Sequence, residues 1–296
     1  MITVSSLTKQ YGNRTAVDDL TFDVAAGRVT GFVGPNGAGK STTMRMMVGL
    51  TRPDSGDTTY RGVRYSDMRH PASVVGTVLD ARSMHPGRTA RNHLAAAAAL
   101  ASIPARRVDE VLDEVGLTSA ADQRTGGFSL GMRQRLALAG ALLGQPEVLL
   151  LDEPSNGLDP AGMVEMRELI RTLGADGRTT VFLSSHLLGE VEQVCDHVTI
   201  LARGRCVVSG RVDEVLASRQ TGDLRVRVAD PEAGRTVLEQ AGFTVTSMGD
   251  AWRVHGVDDP SALNRMLAER GHFLSELAPI AADLETVFLD LTKDGS

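Results

Sequence analysis

A lysine and a serine at the end of a glycine-rich loop are the first residues whose types and spacing could do chemistry. The run from Val29 to Thr43 reads VTGFVGPNGAGKSTT. Its glycines leave room for the backbone to curl around an anion, so that N–H groups and the start of the next helix point at it. Lys40 adds a positive charge for the β- and γ-phosphates of a nucleotide, and Ser41 adds a hydroxyl ligand for a phosphate-bound Mg²⁺. The predicted phosphate-binding residues are Gly34, Pro35, Asn36, Gly37, Ala38, Gly39, Lys40, Ser41 and Thr42.

Two carboxylates and a histidine follow apolar segments further along the chain. The segment Val148–Leu151 is entirely apolar and ends in Asp152 and Glu153, while Thr180–Leu183 leads, after two serines, to His186. A fully apolar strand that ends in acids is typical of a central parallel strand whose carboxyl end opens onto a ligand site. Because the carboxyl ends of parallel strands meet at one edge of a sheet, we expect the acids and the histidine beside the phosphate-binding loop.

Short strands alternating with helices must position these residues. Strands are predicted at Ile2–Leu7 and Leu20–Val24, with Tyr11 in the polar loop between them. An aromatic side chain upstream of a phosphate loop can stack on a nucleotide base, which makes Tyr11 a candidate binding residue. Between about residues 82 and 145, an alanine-rich segment and a helix cap at Thr89 predict a helical subdomain inserted into the α/β core.

The composition limits the class of protein. The chain has 296 residues, 42% of them hydrophobic and 23% charged, which is enough for a nucleotide-binding domain and a smaller second unit. A formal net charge of −6 argues against a nucleic-acid partner, because phosphate backbones need a basic face. The longest apolar runs, Leu94–Ala101 and Leu136–Gly144, are shorter than the ~18 residues of a membrane span, so we expect any membrane-spanning part to come from another polypeptide.

The character of the sequence changes near residue 212. Hydrophobic residues alternate at Leu224, Val226 and Val228, and the elements that follow are predicted in the order βαββαβα. This order suggests a ferredoxin-like, split βαβ unit. We therefore predict a first domain over residues 1–211 and a C-terminal accessory domain over residues 212–296, in which no catalytic group of residues stands out.

Taken together, these motifs resemble the ATP-binding cassette (ABC) family, specifically the ATP-binding subunits of transporters. The resemblance covers about residues 1–210. The matching segments, in the family's order, are GPNGAGKS (Gly34–Ser41) for the Walker A loop, FSLGM (Phe128–Met132) for the signature LSGGQ, LLLDE (Leu149–Glu153) for Walker B, SNGLD (Ser155–Asp159) for the D-loop, and His186 for the switch histidine. The C-terminal LETVFLDLT resembles the end of drug- and antibiotic-export ATPase subunits.

The resemblance implies both a fold and a set of roles. The implied fold class is α/β, a P-loop NTPase core with an antiparallel β subdomain and an inserted helical subdomain, plus a small α+β C-terminal domain. ATP and Mg²⁺ are the implied cofactors. Asp152 would hold Mg²⁺ through water, Glu153 would orient and deprotonate the attacking water, and His186 would touch the γ-phosphate. Lys40 completes the catalytic set, and Tyr11 would stack on adenine.

The signature segment departs from the family pattern. Its first glycine is Leu130 here and its glutamine is Met132, which leaves Ser129 and Gly131 as the matching pair. In this family the signature contacts the γ-phosphate held by the partner subunit, so a branched side chain could alter the approach of the backbone and slow hydrolysis. With Asp159 of the D-loop, Ser129 and Gly131 complete the predicted ATP contacts.

A second departure concerns the metal. Asp80 stands where the family carries the Q-loop glutamine, directly after a predicted strand. A carboxylate can ligate Mg²⁺ through oxygen, although it adds a negative charge near the phosphates. The predicted metal ligands are Ser41, Asp80 and Asp152.

The function that follows is an ATPase subunit that dimerises around two ATP molecules. One phosphate-binding loop means that a second copy must supply the opposing signature segment. The dimer would drive a separate transmembrane permease subunit, for export of a drug-like or antibiotic substrate, from the cytoplasmic face of the cell membrane. The partners are thus a permease and a second copy of the chain, with no nucleic acid.

Two alternative functions belong to other classes of protein. A soluble cassette ATPase acting on ribosomes or nucleic acid commonly carries two cassettes or a long coiled insertion, and the sequence shows neither. A nucleotide-sensing module with weak hydrolysis is favoured by the altered signature and Asp80, whereas Glu153 and His186 favour turnover.

Overall fold

Two compact units make up the protein. The computed structural model describes residues 1–81, 84–218, 222–280 and 283–293. The first unit ends at Val212, and the second begins at Asp213.

An antiparallel sheet opens the first unit. Its strand order is β2-β1-β4-β5, and its strands are β1 (Ile2–Tyr11), β2 (Arg14–Val24), β4 (Ser55–Tyr60) and β5 (Val63–Arg64). The sequence-based expectation of a polar loop around Tyr11 is wrong, because Tyr11 is the last residue of β1 and pairs with Arg14 of β2. The outer half of this hairpin is exposed to solvent, so backbone pairing continues there without the apolar alternation by which a strand is recognised.

A six-stranded sheet forms the centre of the unit. Its order is β10-β9-β3-β8-β7-β6, with neighbours parallel except for the β9–β10 hairpin. The strands are β3 (Val29–Val33), β6 (Val75–Val78), β7 (Val148–Asp152), β8 (Thr180–Ser185), β9 (His197–Ala202) and β10 (Arg205–Arg211). The central strands are buried throughout because they are covered on both faces. Phe22, Phe32 and Phe182 pack between the two sheets with ring centroids 4.9–5.6 Å apart.

Helices connect these strands and form the inserted subdomain. Those of the first unit and its C-terminal border are α1 (Lys40–Met47), α2 (Ala90–Leu100), α3 (Arg106–Glu114), α4 (Leu130–Leu142), α5 (Pro160–Ala175), α6 (Leu188–Val194) and α7 (Val212–Ala217). Thr89 caps α2 as expected, since its hydroxyl accepts a hydrogen bond from Asn92 N. Helix α6 escaped prediction, because it is short and, among the described residues, no side chain caps it.

The second unit is a four-stranded antiparallel sheet with helices. Its elements are β11 (Leu224–Val228), α8 (Pro231–Gln240), β12 (Val245–Met248), β13 (Ala251–Val254), α9 (Pro260–Glu269), β14 (Leu274–Pro279) and α10 (Leu284–Lys293). The strand order β12-β13-β11-β14 places the first strand between the third and the last, as in a split βαβ unit. Asp230 and Asp259 cap α8 and α9. The predicted fold class, an α/β core with a small α+β C-terminal part, is confirmed.

Over the described ranges, no helix has both the length and the apolar character needed to cross a bilayer.

Candidate functional site

The glycine-rich loop joins β3 to the first residue of α1. Lys40 begins that helix; its side chain is 6% exposed and its ammonium group donates a 2.7 Å hydrogen bond to Gly34 O. Gly39 has φ 107°, and a Cβ there would lie 2.4 Å from the carbonyl oxygen of Ala16. The glycine is therefore required by both backbone conformation and space, and the loop closes tightly around the start of α1.

A carboxylate joins this lysine to the predicted switch histidine. Glu153 Oε1 lies 3.4 Å from Lys40 Nζ, and Glu153 Oε2 lies 2.7 Å from His186 Nδ1. Glu153 also has a left-handed backbone conformation, with φ 50°, which is uncommon for a residue with a side chain and is often found at functional sites. The three predicted catalytic side chains, which come from three separate strand ends, thus form one connected group.

A serine fixes the two acids relative to each other. Ser184, at the end of β8, donates a 2.6 Å hydrogen bond to Asp152 Oδ1 and accepts a 2.9 Å bond from the backbone N–H of Glu153. Ser184 is completely buried. The carboxyl ends of β7 and β8 are therefore locked together, which holds Glu153 in position beside Lys40.

The loop and the catalytic group face a groove of about 550 Å³, which is within the usual range for a small-molecule site. Its lining residues are Tyr11, Arg14, Ala16, Pro35, Asn36, Gly37, Gly39, Lys40, Ser41, Thr42, Glu153, Asn156 and His186. Tyr11 is 52% exposed, with the Lys9 ammonium 5.5 Å from its ring centroid. An open aromatic face thus lies at the same groove as the phosphate-binding loop.

Arg14 and Asn156 also line the groove, although the sequence did not single them out. Arg14 donates a 3.2 Å hydrogen bond to Gly37 O from the β1–β2 hairpin. This contact depends on the fold of the β1–β2 hairpin, which the local sequence does not reveal. Asn156 follows the two acids within the D-loop segment, and that position was the available signal for it.

Five predicted ATP contacts lie outside this groove's lining in the described chain: Gly34 and Ala38 of the loop itself, and Ser129, Gly131 and Asp159. Ser129 is exposed and its hydroxyl caps α4, accepting a bond from Met132 N. Asp159 is exposed and caps α5 through Gly162 N. Together with Gly131, near the start of α4, they lie at the N-termini of two helices, where the positive end of the helix dipole favours anions.

The unusual leucine of the signature packs inside its own chain. A Cβ placed on Gly157 would lie 3.1 Å from Leu130 Cδ2, and one on Gly131 would lie 3.8 Å from Leu158 Cδ2. The Leu130 side chain is half-buried and contacts the D-loop segment. Its bulk is thus directed at its own chain, which limits the steric effect that the sequence suggested for the approach of a partner's phosphate.

Asp80 and Ser41, two of the predicted metal ligands, line different clefts. Asp80 is exposed and lines a different cleft, of about 410 Å³, whose other walls include Thr77, His93 and Leu136. Ser41 lines the phosphate groove, and Asp152 accepts a hydrogen bond from Ser184. Ser41 is the second residue of α1, and Asp152 ends β7, which is separated from β3 by β8. Asp80 as a third ligand stays a prediction.

Comparison with known proteins gives consistent matches. The family model described as ABC transporter matches residues 17–156. The bacitracin transport ATP-binding protein BcrA of Bacillus licheniformis is 35% identical over 302 residues, covering 100% of this chain and 98% of the relative. The daunorubicin resistance ATP-binding protein DrrA3 of Streptomyces coeruleorubidus is 35% identical over 308 residues, covering 99% and 96%.

Solved structures with a similar fold also come from ABC transporters. One, described as an ATP-binding subunit of an ABC transporter, superposes with a TM-score of 0.65 at 28% identity, covering 74% of this chain and 92% of its own. Another, cbiO1 from Clostridium perfringens, part of the transporter complex cbiONQ, gives a TM-score of 0.65 at 28% identity over 81% and 95%.

Proposed function

This chain belongs to the ABC transporter family and is an ATPase of that family, and on this basis we propose that it energises a membrane exporter of drug-like or antibiotic molecules. The observation that carries the proposal is the connected group Lys40–Glu153–His186 beside a glycine-lined groove. The full-length similarity to ATP-binding proteins named for bacitracin transport and daunorubicin resistance supports the export role.

The residues of the groove fit ATP with Mg²⁺. The loop that would hold the phosphates has no space for a Cβ at Gly39, and the Lys40 ammonium group is already directed into it. Ser41 and Asp152 are the oxygen donors for Mg²⁺, an ion that usually takes one or two protein ligands and completes its shell with phosphate oxygens and water. Bound there, Mg²⁺ would neutralise phosphate charge.

Glu153 is the proposed general base. Its carboxylate lies between Lys40 and His186, so it can orient a water molecule at the phosphate end of the groove and accept its proton. His186 holds Glu153 Oε2 through a 2.7 Å hydrogen bond and would contact the terminal phosphate. Catalysis of this kind depends on positioning and on neutralising charge.

We propose further that two copies of the chain close around two ATP molecules. Ser129, Gly131 and Asp159 lie outside the groove of their own subunit in the described chain, and a second copy would bring them to it. ATP would stabilise the closed dimer and hydrolysis would release it, which makes nucleotide a switch between two populations. A separate transmembrane permease, bound at the cytoplasmic face of the membrane, would respond to that switch.

The export role can be tested in cells of the source organism. Deleting the gene for this chain is expected to make the cells more sensitive to at least one compound in a panel of peptide antibiotics and anthracyclines. The wild-type chain should restore resistance, and a Glu153→Gln variant expressed at the same level should not. Unchanged sensitivity to the whole panel, together with a defect in translation, would contradict the proposal and favour a soluble ATPase acting on ribosomes.

The role of Tyr11 can be tested by separating base binding from phosphate binding. Tyr11→Ala is expected to weaken ATP binding by about 5- to 150-fold, because stacking on an aromatic ring contributes about 1–3 kcal/mol per base. Tyr11→Phe should retain most of the affinity. Titration with inorganic tripolyphosphate is the control, since it has no base and should bind both variants like the wild type; an equal loss for ATP and tripolyphosphate would exclude stacking.

A further inference from the structure

A small cavity beside the Glu153–His186 pair has charged walls that the proposed mechanism does not use. It offers about 20 Å³ to the centres of water-sized molecules, and a single water molecule needs about 10–15 Å³ of such space. Glu153 and His186 form part of its lining, and Ser155, Arg167 and Glu190 contribute other polar groups. The cavity therefore connects the catalytic pair to polar side chains of α5 and α6.

Two complementary atoms on these walls are buried. Arg167 Nε and Glu190 Oε1 are inaccessible to solvent and have no hydrogen-bond partner among the described residues. Buried polar atoms in native proteins are nearly always paired. One of these atoms is a donor and the other an acceptor, so one water molecule in the cavity can accept from Arg167 and donate to Glu190.

Hydrogen bonds also join α5 to α6 beside this cavity. Arg167 of α5 also donates from Nη1 to Gln193 Oε1 of α6, and Arg171 Nε donates a 3.1 Å bond to Gln193 O. Ser155, two residues after Glu153, lines the same cavity as Glu190. Arg167 and Arg171 thus join α5 to α6, and the cavity places Glu190 beside the segment that follows the catalytic glutamate.

Helix α6 depends on such anchors. It has seven residues and begins two positions after His186, and no side chain caps it in the described part of the chain. A helix this short has little stability of its own. The contacts that fix α6 therefore also fix the position from which His186 reaches Glu153.

The pKa of the Glu190 carboxyl reflects its burial. Desolvation by burial raises the pKa of the Glu190 carboxyl, and the nearby charge of Glu153 acts in the same direction. The charges of Arg167 and His186 and the hydrogen bond from Ser155 lower this pKa and so offset part of the effect. Arg167 is thus the nearby cation that most favours the ionised carboxylate.

We propose that Glu190 and Arg167, bridged by a water molecule in this cavity, are positioning residues that keep His186 in hydrogen-bond contact with Glu153. The proposal rests on the proposed roles of Glu153 and His186 in ATP hydrolysis. Both residues act through the catalytic pair and lie outside the lining of the nucleotide groove in the described chain. Their loss should therefore slow hydrolysis without weakening nucleotide binding.

Steady-state kinetics of the full chain can test this. Glu190→Ala is expected to lower kcat by about 10- to 100-fold with KM for ATP within about twofold of wild type, because small displacements of catalytic groups reduce rate steeply. Glu190→Gln should recover most of kcat, since its amide oxygen accepts a hydrogen bond in the same place. The double variant Glu190→Ala/Arg167→Ala should be no slower than the worse single variant, because both changes remove the same bridge.

Controls separate positioning from folding. Glu168→Ala, next to Arg167 on α5 and exposed, should leave kcat unchanged.

The stability of the Glu190 variants gives a second control. Because burial raises the pKa of Glu190, the stability due to its protonated form is present at low pH and is lost as pH rises through the raised value. Burial thus makes the ionised Glu190 carboxylate less favourable in the folded chain than in the unfolded one, and Glu190→Gln should unfold at the same temperature as wild type or higher.

Three outcomes would overturn the proposal: unchanged kcat in Glu190→Ala, fully additive losses in the double variant, or a parallel fall of kcat, ATP affinity and unfolding temperature. A high-resolution crystal structure is expected to show water bonded to both Arg167 Nε and Glu190 Oε1, and a direct contact between these atoms would exclude the bridge.

The Glu153→Gln variant is assayed in the same experiment. If that variant turns over normally, the proposed base is wrong; if it is inactive while Glu190→Ala is normal, only the present inference fails.

Discussion

Replacing Glu153 with glutamine is expected to lower ATP turnover by about 10²- to 10⁴-fold, the usual contribution of a general base. Glutamine has nearly the same shape and can keep the hydrogen bond to His186, but it cannot accept the proton of the attacking water. ATP affinity should change little, because Lys40 and the glycine loop remain in place. The measurement is Mg²⁺-dependent phosphate release, with ATP binding determined on the same samples.

The same variant should also reveal the dimer. If two subunits close around ATP and open after hydrolysis, blocking hydrolysis should shift the population to the closed state. Size-exclusion chromatography of Glu153→Gln should then show a dimer with ATP and a monomer without it. Glu168→Gln, which changes an exposed glutamate on α5, is the matched control and should behave like wild type. Normal turnover by Glu153→Gln would exclude this residue as the base.

Replacing Lys40 with alanine is expected to remove most nucleotide binding. The Lys40 ammonium group is buried against the loop and lies 3.4 Å from Glu153 Oε1 at the phosphate end of the groove. Hydrogen bonds to charged groups contribute about 1.5–3 kcal/mol each, so loss of even one phosphate contact should weaken ATP binding by about 10- to 100-fold or more. Turnover should fall below detection at ordinary ATP concentrations.

Thermal unfolding with and without ATP measures this effect. Ligand that binds only the folded state raises the unfolding temperature, so the wild type should be stabilised by ATP and Lys40→Ala should not. Arg45→Ala is the matched control, because Arg45 is an exposed cation in the last turn of the same helix. Equal stabilisation of wild type and Lys40→Ala by ATP would show that the loop lysine is not a phosphate ligand.

The altered signature contacts the D-loop segment of its own subunit. From the sequence, the branched side chain of Leu130 predicts an altered approach of the signature backbone to a partner's phosphate and slower hydrolysis. In the structure its side chain lies against Gly157 of its own D-loop segment, while the exposed Ser129 caps α4. The substitution thus links two segments of one subunit, and the intact Glu153–His186 pair is consistent with an active ATPase.

The sequence by itself determined the phosphate-binding loop and most of the strands and helices. Glycine spacing, apolar runs and cap residues act over a few positions, so they report local backbone structure directly. The sequence also indicated that Lys40, Glu153 and His186 would meet, because each follows a strand of one parallel sheet and such strands end at the same edge. In the structure these three side chains are in contact.

Only the tertiary structure decided which distant side chains meet and which do not. Arg14 reaches the loop because the β1–β2 hairpin is longer than its apolar pattern indicated. Asp80 also follows a parallel strand, but β6 is at the edge of the sheet, and the residue lines a separate cleft. Glu190 and Arg167 share a cavity because α5 and α6 pack together. Strand order, helix packing and side-chain direction set these contacts, and they depend on pairings across long stretches of chain, which no local pattern encodes.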